Sequence, residues 1–407
     1  MAIKKANKIR IYKLLAVLAA AVILYWLAAF SNMPTVDERN IVAMMGIDAS
    51  DDGGIKVTAH VLVPVTGGEN TFNQDTESAE GKDLFDALNQ FGVMQGRKVE
   101  FGKCAVLVFG QTMAERGILT ETQNLLAAGT VNPGTLMIVA ADSTAEDFLG
   151  TALDLGEETG ENIGKLLARF QSSLAMPQLN LLTFLSGNAG ESGAHFIPCV
   201  KLKQKDNANE GEDGAGAEPN RKPKLNSSAD IDSVDTAAAF KGGKLVKTLT
   251  VNQTQGLNLT LPSSKRGSYQ VDGFTLDGQK FGALYAEIPK KTAKTTTYFK
   301  DGKPVVRYDV CMKIDVKTKR ELLVATGTDA KKEKELNTAI EKAFQTKAAS
   351  QIESAVAAAK ETNADFLGIK YRFCRRNARE MQVYEKAQNS DFLNDITAEI
   401  RVNAKVI

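Results

Sequence analysis

The sequence predicts a mixed α+β protein: an N-terminal membrane helix followed by three extracytoplasmic mixed-sheet domains, the last with a long amphipathic helix between strands. Three observations carry this. Residues 14 to 30, "LLAVLAAAVILYWLAAF", contain no charge and follow Lys4, Lys5, Lys8, Arg10 and Lys13. From residue 36 to 202 short apolar strands alternate with helical stretches, as in a layered α/β domain. From residue 290 an alternating strand, a long Ala- and charge-rich helix and a final alternating strand succeed one another.

The apolar run covers ~25 Å as a helix and can just cross a hydrocarbon core of ~30 Å. Its basic flank, residues 1–13, stays in the cytoplasm, so the rest of the chain emerges on the outer face. Tyr25 and Trp26 then lie near the outer interface, where amphipathic rings are favoured. A retained signal anchor fits a run this long, and cleavage after Ser31 is the alternative. Lipidation lacks its cysteine, because none precedes Cys104.

In the first domain (36–202), Asn40 to Asp48 and Ile55 to Pro64 read as a hairpin across "SDDGG". Ile55, Val57, Ala59, Val61 and Val63 alternate onto one face, which leaves His60 on the other, expected to meet solvent. A helix over "GKDLFDALNQFGVMQ", the strand "VEFGKCAVLVFG", a helix from Thr112 to Ala128 and the strand "TLMIVAAD" follow. "STAEDFLGTAL" opens a further helix with a capping box from Ser143 to Glu146. Seven acidic residues and no Lys or Arg lie between Asp142 and Glu161, a solvated face unless a basic partner docks there.

Residues 203–235 are polar and rich in Gly, Asn and Pro, which predicts a disordered linker. Residues 236–289 read as a small middle domain: strand, Gly-Gly turn, strand and short helix, then strands at Tyr269 to Phe274 and Phe281 to Ile288, with a junction at "IPKKTAK". In the last domain (290–407), Val306, Tyr308, Val310, Met312, Ile314 and Val316 alternate as a half-buried strand. Leu336, Ile340, Phe344, Ile352 and Val356 then line one face of a helix from Lys331 to Glu361, and Ala398 to Val406 alternate as a closing strand.

Composition narrows the function. With 50 Lys+Arg against 49 Asp+Glu in 407 residues, no global field recruits nucleic acid. Basic residues do outnumber acidic ones from Lys290 to Lys347, which offers a surface for anionic headgroups or an acidic partner, or simply a solvated face. Only two histidines occur, and no HExxH, GxSxG, SxxK or Walker loop is present, so no catalytic, metal or cofactor residues are assigned. Ser192 and His195 are the nearest approach to a hydrolase pair, and the glycines around Ser192 do not form a nucleophile elbow. The four cysteines, Cys104, Cys199, Cys311 and Cys374, form no CxxC pair and read as core or half-buried residues, with one disulfide open to a chain outside the cytoplasm.

The motifs "VDERNIVAMMGID", "FGKCAVLVFG", "ERGI", "AAAFKGGKLV", "TQGLNL" and "NADFLGIKYRFCRR" succeed one another in an order that resembles that of the Ger(x)C family, the C subunits of spore germinant receptors. "VDERNIVAMMGID" is similar to the family's opening through Asp37, Arg39, Ile41, Gly46, Ile47 and Asp48. "FGKCAVLVFG", "ERGI", "AAAFKGGKLV", "TQGLNL" and "NADFLGIKYRFCRR" follow in the family's order, with Asp365, Phe366, Leu367 and Gly368 matching its penultimate motif. Two features depart from it: the lipobox Cys-Trp falls at Thr35 and Val36, and a tryptophan near the C-terminus is missing. The resemblance implies a non-enzymatic protein without cofactor on the outer face of the spore inner membrane. Its partners are then a polytopic A subunit and a transporter-like B subunit, in a complex that triggers germination. The alternative is a membrane-tethered solute-binding protein with a pocket in the first domain.

Overall fold

The computed structural model describes residues 13–26, 39–64, 72–153, 179–190, 192–202, 231–276, 278–326, 329–387 and 391–407. Most of the expected linker, residues 203–230, and the acidic residues beyond Leu153 lie outside these. Residues 13–26 form helix α1, whose large apolar side chains are exposed, from Val22 at 51% to Tyr25 at 75%. Among the described residues no helix is long and apolar enough to cross a membrane, and residues 27–30 of the expected span are not among them.

The first half of the chain supplies β1 (Arg39–Ala49), β2 (Ile55–Pro64), β3 (Phe72–Gly81), α2 (Leu84–Gln95), β4 (Lys98–Glu100), β5 (Val106–Gly110), α3 (Gln111–Arg116) and α4 (Leu119–Ala127). β6 (Leu136–Ala141), α5 (Ala145–Leu153), α6 (Leu181–Ala189), β7 (Ala194–Leu202), β8 (Ile231–Lys241) and β9 (Lys244–Thr248) follow. They build a nine-stranded sheet in the order β3-β2-β1-β5-β6-β7-β8-β9, with β4 beside β1. The helix expected over Thr112 to Ala128 is two helices, because Gly117 at φ 121° interrupts it.

β1, β5, β6 and β7 run parallel and are covered on both faces. Met45, Ile47, Leu107 and Phe109 enter the main core; Met44, Val106, Val108 and Ile138 meet Ala145, Phe148 and Leu149 of α5 on the other side. That second layer corrects the expectation for His60, which is 1% exposed because α5 lies over the face where it was expected to meet water.

The cap of α5 also differs from the expected Ser143–Glu146 box. Thr144 and Asp147 exchange the bonds instead, Asp147 N–H to Thr144 Oγ1 at 3.0 Å and the hydroxyl to Asp147 Oδ2 at 2.7 Å. Glu146 is drawn away by Lys56 at 2.6 Å and the Ser78 hydroxyl at 2.9 Å, two partners on strands remote in sequence.

The second half supplies α7 (Val251–Thr260), β10 (Gly267–Leu276), β11 (Gln279–Lys300), β12 (Lys303–Val316), α8 (Lys319–Thr326), α9 (Ala330–Glu361), α10 (Ile369–Arg376), α11 (Ala378–Ala387), α12 (Phe392–Asp395) and β13 (Thr397–Val406). The sheet order is β10-β11-β12-β13, with β13 parallel to β12 after the helical crossover. Leu336, Ile340, Phe344, Ile352 and Val356 of α9 are buried, as their spacing predicts.

The described strands thus form two mixed sheets. Residues 236–289, expected as a middle domain, contribute β8 and β9 to the large sheet and β10 with the start of β11 to the small one. β11 runs unbroken through "IPKKTAK", expected as a junction, with a bulge between Glu287 and Lys290.

Candidate functional site

Ser192 and His195 do not form a dyad. The Ser192 hydroxyl reaches the Ala194 carbonyl at 3.5 Å, and His195 Nδ1 accepts the Phe196 N–H at 2.8 Å. The imidazole packs between Phe184 and Phe196 and over Gly187, where a Cβ would sit 1.8 Å from its Cδ2. Burial holds its pKa down, so this ring is a neutral packing element. Cys104 and Cys199 are buried with their thiols pushed up to about 12, and none of the four cysteines is in a disulfide. Among the described residues no three His, Cys, Asp or Glu side chains converge as metal ligands.

The "GID" residues at the end of β1 have a structural role. Asp48 accepts the N–H groups of Ala145 and Glu146 at 2.8 and 3.0 Å and so satisfies the start of α5. Gly46 and Gly110 make room for this contact. A Cβ on Gly46 would lie 2.8 Å from that of Ala145, and one on Gly110 would lie 1.9 Å from Asp48 Oδ1.

"TQGLNL" lies in α7, which joins the two sheets. Thr250 and Gln253 cap it reciprocally, at 3.3 and 2.9 Å. Gly256 lets the helix approach α9 so closely that a Cβ would sit 1.9 Å from the Gln351 carbonyl oxygen. Gln351, 3% exposed, ties three elements together. Its amide nitrogen donates to Asn252 Oδ1 at 3.0 Å and Gln255 Oε1 at 2.5 Å, and its oxygen accepts the Tyr269 hydroxyl of β10.

At the far end of α7 the ammonium of Lys291, on β11, donates to the carbonyls of Asn258, Leu259 and Leu261 at 3.0, 2.9 and 2.9 Å. It occupies the position where a helix leaves its last carbonyls without donors and its dipole favours a cation. Burial pulls its pKa down to about 7.

The "NADFLG" residues start α10. Asp365, 4% exposed, accepts the N–H groups of Ile369 and Lys370, both at 2.7 Å, and Gly368 turns the chain at φ 65°. Burial pushes this carboxyl up to about 6, against the two N–H donors and the nearby Arg372 and Lys370. Because the native value lies above the ordinary 3.8, the folded state binds the extra proton. The resulting stability is present below 3.8 and is lost as pH rises through 6. Relative to Asp365→Asn, the wild-type chain is therefore expected to lose about 3 kcal/mol of unfolding free energy across that window. Urea denaturation of both chains between those pH values checks this; a difference that stays flat contradicts it.

Beyond this cap, α10 and α11 present an exposed face. Arg375 stacks 5.5 Å from the centroid of Tyr371 and donates to its hydroxyl at 2.7 Å, while Arg376 donates to the Thr295 carbonyl at 2.9 Å. With Arg372 these residues line a basic hollow of about 430 Å³. A second cleft, of about 650 Å³, lies between α11 and the β11–β12 turn. Phe299, Tyr384, Ala387 and Val383, the last 68% exposed, supply its apolar part, and Asp301, Lys303, Arg379 and Glu380 its charges. Phe299, Phe373, Tyr384 and Phe392 stack behind it with centroids 5.2 to 5.9 Å apart, which makes the face rigid. Tyr and Arg beside an exposed apolar cleft are the side chains that dominate protein interfaces.

Several lysines of the basic excess noted from Lys290 to Lys347 have partners within the fold. Lys317 bridges Glu287 and Asp315, Lys319 meets Glu333, Lys347 meets Asp272, and Lys291 is in the core.

The order of motifs now has a counterpart in comparison with known proteins. Residues 33–202 match the family described as "Spore germination protein N-terminal domain" and residues 235–407 the one described as "Spore germination B3/ GerAC like, C-terminal". The chain belongs to the Ger(x)C family. A solved structure, the crystal structure of the GerBC protein, has the same fold: a TM-score of 0.51 at 15% identity, over 89% of this chain and 96% of that one. No curated protein matches the chain. As a Ger(x)C protein it is a germinant receptor C subunit in spore germination. The Ger(x)C motifs quoted from the sequence fall on helix starts and close helix approaches. The two clefts of α10 and α11, by contrast, had only "YRFCRR" to announce them, and Lys291 and Gln351 carried no sequence signal.

Proposed function

We propose that this chain is a membrane-anchored, extracytoplasmic subunit of a spore germinant receptor that supports nutrient-triggered germination by protein contacts and without catalysis. The observation that carries this reading is the face of α10 and α11, where the Tyr371–Arg375 stack and the Val383 cleft stand ready-made on a rigid aromatic base. The polytopic A subunit and the transporter-like B subunit are the partners it would meet. The charge-free residues 14–30 behind five basic residues support a retained anchor, which holds a protein at a membrane at least as firmly as acyl chains do.

Spores lacking the gene are expected to germinate slowly on nutrients and normally by receptor-independent triggers. Complementation with the Arg375→Glu, Val383→Asp double variant, present at wild-type level, is expected to leave the defect in place. A normal nutrient response in deleted spores that hold no second receptor copy overturns the proposal. A mature chain that begins at Asn32 by mass spectrometry overturns the anchor alone.

A further inference from the structure

A groove of about 710 Å³ runs between the bulged strand β10 and the exposed side of α9. That volume falls within the range of small-molecule sites, ~300–1,000 Å³. It is built by two adjacent rows of the helix. Ala339 and Ala343 keep its floor low, while Lys342, Thr346, Ser350 and Ser354, spaced by four, stand along one wall. Opposite them β10 supplies Gly273, at φ 65°, which has no side chain to fill the space.

Among the described residues the hydroxyls of Thr346, Ser350 and Ser354 and that of Thr275 across the groove have no hydrogen-bond partner, and the Lys342 ammonium has no ion pair. The amide nitrogen of Asn252 is free as well, although its oxygen is held by Gln351 at 3.0 Å. The one carboxylate lining the groove, Asp272, is neutralised by Lys347 at 3.1 Å and bound by Gln270. The lining therefore offers hydroxyls that can donate or accept, one free amide NH2 and one uncompensated positive charge. Val271 and Phe274 add a short apolar strip at which carbon-bound hydrogens of a ligand can rest.

We propose that this groove binds a small polyoxygenated organic anion, a sugar acid or hydroxy acid, with its carboxylate on Lys342 and its hydroxyls along Thr346, Ser350 and Asn252. A cation finds its only carboxylate occupied. An extended peptide pairing with the edge strand β10 meets the register break between Val271 and Phe274, which interrupts the ladder it needs. The site lies in the second half of the chain, not in the first domain where a solute pocket was expected, and it does not depend on the partner face of α10 and α11.

Isothermal titration of the full-length chain in detergent with gluconate and with citrate tests it, with glucose and lysine as neutral and cationic controls. Saturable binding of an acid, weakened about tenfold by Lys342→Gln and by Ser350→Val, is the expected result. Both positions are exposed, so unchanged melting temperatures will show that the fold is intact. Absence of saturable binding for both acids, glucose or lysine binding as well as gluconate, or binding indifferent to both substitutions overturns the proposal. None of these outcomes bears on spore germination, which is read separately by the deletion.

Discussion

Replacing Gly256 by alanine is expected to lower the unfolding free energy by about 3 kcal/mol or more, among the largest effects of any single methyl group in this chain. The added Cβ would lie 1.9 Å from the Gln351 carbonyl oxygen and 2.4 Å from its carbon, both backbone atoms of α9. No side-chain rotation relieves such a contact, so α7 must move away from α9 and break the bonds of Gln351 to Asn252 and Gln255. The same substitution at Gly92 provides the control. That glycine lies within α2 with open space around it, and alanine there is expected to stabilise by about 0.5–1 kcal/mol. Urea denaturation of the two variants should move in opposite directions. A neutral Gly256→Ala would show that the α7–α9 approach is not tight in solution.

Replacing Lys291 by methionine keeps most of the buried stem but removes the ammonium from three carbonyls at the end of α7, of which that of Asn258 keeps the Leu261 N–H at 3.2 Å while those of Leu259 and Leu261 lose their donor. At about pH 8 the expected loss is about 2–3 kcal/mol. The pH dependence is more diagnostic. Burial pulls the native pKa from 10.5 to about 7, so between these values the unfolded chain binds more protons than the folded one. Wild-type stability relative to Lys291→Met must therefore rise with pH across that window, by up to about 5 kcal/mol, and fall away as pH drops through 7. A pH-independent difference would show that Lys291 titrates as an exposed lysine, and that water reaches the end of α7.

Elements with one-sided burial were the legible ones. β12, α9 and β13 record in their sequence the period of the face they bury, because each has one face on a core and the other in water. The interior of the large sheet offers no such record. His60 was misplaced because both faces of the sheet are covered there, and alternation says which face a residue takes but not what lies over it. Glu146 was assigned to a helix cap for a similar reason, since its partners Lys56 and Ser78 come from strands that sequence distance hides.

Lys291 shows the limit most clearly. Leu284, Ala286 and Ile288 face inward at even positions, but the bulge after Glu287 reverses the parity, and Lys291, Thr295 and Thr297 point inward instead. Without the bulge the even parity would turn Lys290 inward and leave Lys291 in water. The sequence alone determined the local order: the apolar N-terminal run, the strands and helices with their turns, and the motif succession that marks a Ger(x)C chain. Only the tertiary structure decided which sheet each strand joins, which lysine is buried and where the clefts lie. These depend on contacts between residues tens of positions apart, and local periodicity carries no information about them.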